Sequence, residues 1–146
     1  MRFYRHIVVA ADFSAPSEAA AHKAAELVQC TGAELTLLHV VDYFPEDIPN
    51  ECIAPEDQDP EHYLCACCKE ALSSLATDIG AVEARVEVVV TTQSAANGIL
   101  DYADEHSIDL VVLAAHGRKG IAAMLGSTVE HVLHHAKMDI VVVRSH

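Results

Sequence analysis

The chain has 146 residues, 51% of them apolar and 21% charged, so it is long enough for one real hydrophobic core and too short for two. Its formal net charge of −13 argues against a nucleic-acid surface and against docking on anionic membranes. The apolar run Ile7–Ala11 is far too short for a signal-peptide core or a membrane span, and Asp12 ends it, so the cytoplasm is the expected compartment.

Short β-branched runs alternate with longer Ala-rich stretches. His6 to Ala11 reads as a buried strand. Pro16 to Cys30 reads as a helix with an apolar stripe of Ala19, Ala20, Ala24, Leu27 and Val28, entered through Ser14 or Ser17 as N-cap and stopped by Gly32. Glu34 to Val41 is a second strand. The acidic segment 42–60 holds four of the five prolines and is expected to be an irregular loop, the most mobile part of the chain. A helix over Glu61–Ile79 ends at Gly80, and a third strand follows over Ala84–Thr91. Ala95–Glu105 is a helix, Asp109–Leu113 a strand, Gly126–Ala136 a helix and Ile140–Val143 the last strand.

Five strands alternating with four helices imply an α/β fold: a single domain over residues 1–146 built on a doubly wound five-stranded parallel sheet with helices on both faces. In the strand order 3-2-1-4-5, the winding reverses between the first and fourth strands, and ligands of such sheets sit outside the carboxyl ends of the strands at that point. One lip of that crevice is Ala10, Ala11, Asp12, Phe13 and Ser14; the other is Ala114, Ala115, His116 and Gly117, with Leu113 just before it as a further site residue. Asp12 is placed to accept from ribose hydroxyls or to hold a metal on a phosphate, or else to serve as a turn or cap residue.

The segment after the fourth strand carries the chemistry. Gly117, Arg118 and Gly120 lead to Gly126-Ser127-Thr128 at a helix start. Glycines admit close backbone approach, helix-start amides and hydroxyls donate to an anion, and the helix dipole favours negative charge. Arg118 and Lys119 add local positive charge in an acidic chain.

With both lips in view, the chain resembles the universal stress protein family. His6-Ile-Val-Val-Ala-Ala-Asp-Phe-Ser14, Leu37-Leu-His-Val-Val-Asp42, Ile108-Asp-Leu-Val-Val-Leu113, Ile140-Val-Val-Val-Arg144 and Gly126-Ser-Thr-Val-Glu-His-Val-Leu-His-His-Ala136 carry the likeness, which spans all but the stretch from Tyr43 to about Glu61. The resemblance implies the 3-2-1-4-5 sheet, a cytoplasmic homodimer, a role in stress survival, and binding of an adenine nucleotide, ATP or AMP, with Mg²⁺ as a companion ion. Carried over residue by residue, Gly117 matches the second glycine of a Gly-x2-Gly-x9-Gly-Ser/Thr loop, Gly126 and Ser127 its closing pair, and Asp12 the ribose-side acid. Val41 matches the second-strand residue whose backbone faces adenine. The chain departs from the pattern at Ala114, which replaces the first glycine, and in the eight residues between Gly117 and Gly126, one fewer than the pattern. The family also has a branch that lost this loop and does not detectably bind ATP, so a nucleotide-independent interaction protein is the alternative. A slow ATPase ranks below both, because no general base can be named.

Other constellations are better explained as structure. His62, Cys65 and Cys68 fall one helical turn apart, yet Cys68, Leu72, Leu75 and Ile79 also make a core stripe, and no intrinsic metal is expected. Five clustered cysteines (30, 52, 65, 67 and 68) do not form a disulfide framework and suit a reducing compartment, with Cys52 expected to be the most exposed thiol. His131 and His135 have chelating spacing but no zinc-protease Glu between them, and His39 reads as a satisfied core histidine. Ile140, Val141, Val142 and Val143 form an apolar edge strand expected to pair two chains about a two-fold axis.

Overall fold

Alternating Ile, Val and Leu side chains build each strand of the sheet so that successive residues feed opposite layers of the core. The computed structural model describes residues 3–42, 52–116 and 125–144. Its elements are β1 (His6–Ala10), α1 (Ala15–Thr31), β2 (Glu34–Asp42), α2 (Pro60–Asp78), β3 (Arg85–Thr91), α3 (Ala95–Glu105), β4 (Leu110–Ala114), α4 (Ser127–His135) and β5 (Asp139–Val143). All strands are parallel, in the order β3-β2-β1-β4-β5, with Val8 of β1 opposite Thr36 of β2 and Val111 of β4. This is the α/β sheet order that the sequence led us to expect.

Each sheet face buries a separate layer. Ile7, Val9, Leu35, Leu37, Leu110 and Val112 face α1 and α2, meeting Ala20, Ala24, Leu72 and Leu75. Val8, Leu38, Val111 and Leu113 face α3 and α4, meeting Ile99, Tyr102, Val129 and Val132. Full burial of each such aliphatic side chain stabilises the fold by about 1.5–3 kcal/mol. The alanines of α1 let that helix lie close to the sheet.

Helix ends follow local chemistry. Ser14 caps α1, its hydroxyl accepting from the Ser17 amide, and Gly32 ends it at φ 73°. Ser94 caps α3 in the same way through the Asn97 amide. Inside α3, Gly98 is required for a different reason: a Cβ there would stand 2.6 Å from Cγ1 of Val40, so only a glycine lets the helix approach β2 this closely. The expected loop at 42–60 falls partly outside the described residues; its described part leads from Cys52 to Asp59 before α2.

The cysteine reading is overturned. Cys52 is bonded to Cys67, with Cα atoms 5.7 Å apart, and is 8% exposed rather than the most exposed thiol. Cys30, Cys65 and Cys68 remain as thiols, and Cys30 is the exposed one. The pairing escaped the sequence because an odd, clustered count conceals which two residues the fold brings together. Cys68, Leu72 and Leu75 do line the buried face of α2, whereas His62 is exposed, so the spaced trio does not share one environment. Among the described residues, no group of three or more His, Cys, Asp or Glu side chains could hold a metal ion.

Candidate functional site

Outside the carboxyl ends of β1 and β4, where the winding reverses, lies a cavity of about 520 Å³. Of the residues named from sequence, Ala10, Ala11, Asp12, Leu113, Ala114, His116, Gly126, Ser127 and Thr128 line it. Gly117, Arg118 and Gly120 lie outside the described residues. Val41 is buried and its neighbours Val40 and Asp42 line the cavity, because alternation along β2 turns the Val41 side chain to the opposite face. Ser17, His39, Ala95, Ile99 and Val129 complete the wall and were not singled out as site residues. Their only signal in sequence was proximity to a strand end or a helix start.

The β1–α1 turn is tightly organised. An Asp12 carboxylate oxygen accepts from the Ser14 amide at 3.0 Å and from the Ser14 hydroxyl, and the Asp12 amide donates to the Ser17 hydroxyl at 3.2 Å. Asp12 is thus a turn residue and a cavity residue at once. Phe13 takes φ 65°, a left-handed conformation seldom held by an aromatic residue, at this lip. Its ring packs against His39 with centroids 4.7 Å apart, and His39 Nδ1 lies 2.7 Å from the Ala11 carbonyl oxygen. The expectation of a satisfied histidine holds, but the residue borders the cavity rather than sitting only in the core.

Opposite stands the N-terminus of α4. No side chain among the described residues caps it, Gly126 occupies the N-cap position, and the Gly126 amide donates to the Ala115 carbonyl at 2.9 Å. The notion that the Gly126 amide would serve a phosphate is therefore corrected: that donor is spent on the fold. The first-turn amides of Ser127, Thr128 and Val129 are the other donors of this helix start, groups that need a partner from outside the helix. Ala114 closes β4 in register with Val143, and its φ is not positive, so the alanine in place of a glycine imposes no backbone strain. Val40, Ile99, Leu113 and Val129 supply apolar wall, while Asp12 and Asp42 place two carboxylates at the rim. A mostly apolar slot ending in helix-start amides can take a flat, partly polar ligand with an anionic group.

Helices α3 and α4 are held together beside the slot. His131 Nε2 lies 3.0 Å from Asn97 Oδ1, and the His131 ring stacks on His135 at 4.3 Å. His135 Nδ1 approaches the His131 carbonyl at 2.9 Å, so this pair is accounted for by packing and hydrogen bonding. No helix among the described residues is long and apolar enough to cross a membrane.

Comparison with known proteins agrees with this architecture. A universal stress protein A homolog of Coxiella burnetii is 31% identical over 142 residues, 97% of this chain and 95% of its own length. The structure of the universal stress protein UspA from Lactobacillus plantarum superposes with a TM-score of 0.75 at 29% identity, covering 99% of both chains. Two further structures share the fold: a universal stress protein in complex with cAMP (TM-score 0.68, 24% identity, 98% of both chains) and one from Archaeoglobus fulgidus in complex with dAMP (0.67, 23%, 97% and 98%). The family itself matches residues 3–144, and the chain belongs to the universal stress protein family.

Proposed function

We propose that this protein is a dimeric stress-response module that binds an adenine nucleotide in the β1/β4 cavity. One observation carries the reading: the N-terminus of α4, capped by no side chain among the described residues, opens on a cavity to which Val40, Ile99 and Leu113 give apolar wall. The volume, about 520 Å³, lies within the roughly 300–1,000 Å³ usual for small-molecule sites. The base would lie against Val40, Ile99 and Leu113, the phosphate at the amides of Ser127 and Thr128, and the sugar hydroxyls near Asp12. The cAMP and dAMP complexes of relatives with this fold support the choice of an adenine ligand.

The test is equilibrium titration of purified protein with AMP and with ATP, each with and without Mg²⁺. Saturable binding of either nucleotide supports the reading, and no binding at millimolar nucleotide rejects it. A second reading, a nucleotide-independent interaction protein, draws on the rim itself. Asp12 and Asp42 both repel a phosphate, and the Gly126 amide is already committed.

A further inference from the structure

We propose that Cys52 and Cys67 form a reversible two-electron thiol–disulfide site, oxidised by hydroperoxides and reduced by dithiols, with the Cys67 sulfur attacked in both directions. The bond joins the segment before α2 to the helix itself across a separation of 15 residues. Cys52 is buried, yet neither cysteine belongs to the two side-chain clusters packed on the sheet faces; α2 is anchored by Leu72, Leu75 and Ala76 instead. Opening the bond therefore leaves the core packing in place, which distinguishes a bond that can cycle from one on which folding depends.

The two sulfurs are not equivalent. Cys52 is buried, whereas Cys67, on α2, is only partly buried. Thiol–disulfide exchange needs access to the attacked sulfur, which favours Cys67. The neighbouring thiols do not compete. Burial, followed by the nearby Glu61 and Asp59 carboxylates, holds the Cys65 thiol above the usual cysteine range, and burial does the same for Cys68. A protonated thiol is a poor nucleophile, so the redox change stays on one pair.

The chemistry balances. In oxidation the Cys67 thiolate attacks a peroxide oxygen, the S–O bond forms, the O–O bond breaks, and hydroxide leaves to be protonated to water. The Cys52 thiolate then attacks the Cys67 sulfenic sulfur, the S–S bond forms, the S–O bond breaks, and a second water departs. Two electrons pass from the sulfurs to the peroxide. In reduction, one thiolate of a dithiol attacks the Cys67 sulfur and expels the Cys52 thiolate. The second thiol of the reagent then resolves the mixed disulfide and restores the Cys67 thiol.

The full chain is to be reduced with dithiothreitol without denaturant, freed of reductant, and treated with hydrogen peroxide. Peptide mapping after alkylation identifies the linked cysteines, and circular dichroism follows the fold. The expected result is complete reduction of the folded protein, followed by return of the Cys52–Cys67 link in roughly tenfold excess over any link to Cys65 or Cys68. The far-UV spectrum and cooperative melting should persist in both states. A sulfenic-acid trap should label Cys67 in Cys52→Ser and leave Cys52 unlabelled in Cys67→Ser. Reduction only after denaturation, unfolding on reduction, or scrambled links after peroxide would each overturn the proposal.

Discussion

The amide of Gly126 donates to the carbonyl oxygen of Ala115 at 2.9 Å, and the Ala115 amide donates in turn to Val143. This relay ties the N-cap of α4 to the ends of β4 and β5. It holds the helix start against the sheet without using the amides of Ser127 and Thr128, so scaffold and candidate anion site are separate groups on adjacent residues.

Gly126 has φ −69° and ψ 158°, a conformation that any residue can adopt. Gly126→Val should therefore fold while projecting its side chain into the cavity that Gly126 lines. AMP affinity should fall by at least about tenfold, ~1.4 kcal/mol, in calorimetric titration. Unchanged affinity in a folded variant would remove the nucleotide from the α4 terminus.

Asp12 should affect stability as well as binding. Asp12→Ala deletes the acceptor of the Ser14 amide and hydroxyl, and urea unfolding should show a loss of about 1–2 kcal/mol. Asp12→Asn keeps a carbonyl oxygen for the turn and should be distinctly milder. If both variants match the wild type in unfolding, the turn does not depend on this side chain.

Gly98→Ala tests the approach of α3 to β2. Helix propensity alone favours alanine by about 1 kcal/mol, but the added methyl would meet the stiff Val40 side chain. Overpacking of this kind costs about 1–3 kcal/mol, so a net destabilisation of roughly 1 kcal/mol is expected from the denaturation midpoint. A stabilised variant would mean that Val40 moves aside at little cost. Because Val40 also lines the cavity, ligand affinity should shift with it.

With the disulfide intact, thiol labelling should proceed in the order Cys30, Cys65, Cys68, read by peptide mapping over time. Labelling of Cys65 should accelerate as pH rises past the usual cysteine range, since burial and then Glu61 and Asp59 favour its neutral form. The sign for stability follows. The unfolded chain loses these protons at lower pH than the folded one, so the contribution is present at neutral pH and is lost as the medium becomes alkaline. Cys68 labelled as fast as Cys30 would contradict its burial.

The dimer proposal can be tested at a backbone donor on the outer edge of β5. Val143 accepts from Ala115, and the Asp139 amide donates to Asp109, so the backbone groups of Asp139, Val141 and Val143 point toward β4. By alternation, those of Ile140 and Val142 point away from the sheet. Val142→Pro removes an outward donor at an edge position, where proline is tolerated, and leaves pairing to β4. Sedimentation should show a dimeric wild type and a monomeric variant. A wild type that is monomeric at high micromolar concentration rules out strand pairing.

Much of the fold was legible because its information is local. The apolar runs from Ile7 to Val9 and from Leu110 to Leu113 are short and β-branched, as strands buried on both faces are, and Ser14 and Gly32 mark the ends of α1 through their own backbone chemistry. The strand order came from a resemblance, since alternation alone does not rank one doubly wound order over another. Nine residues named for the site meet at the cavity because each sits at a strand end or helix start that the fold must bring to one edge. Ser17, His39, Val40, Asp42, Ala95, Ile99 and Val129 were not named for it, since only packing of α3 and α4 on the sheet decides which side chains border the slot. The same holds for the Cys52–Cys67 bond and for the commitment of the Gly126 amide to Ala115. Propensity, capping and periodicity act over a few residues and are written in sequence. Which distant sulfur or carbonyl a group meets depends on three-dimensional proximity, and that was decided only when the helices docked.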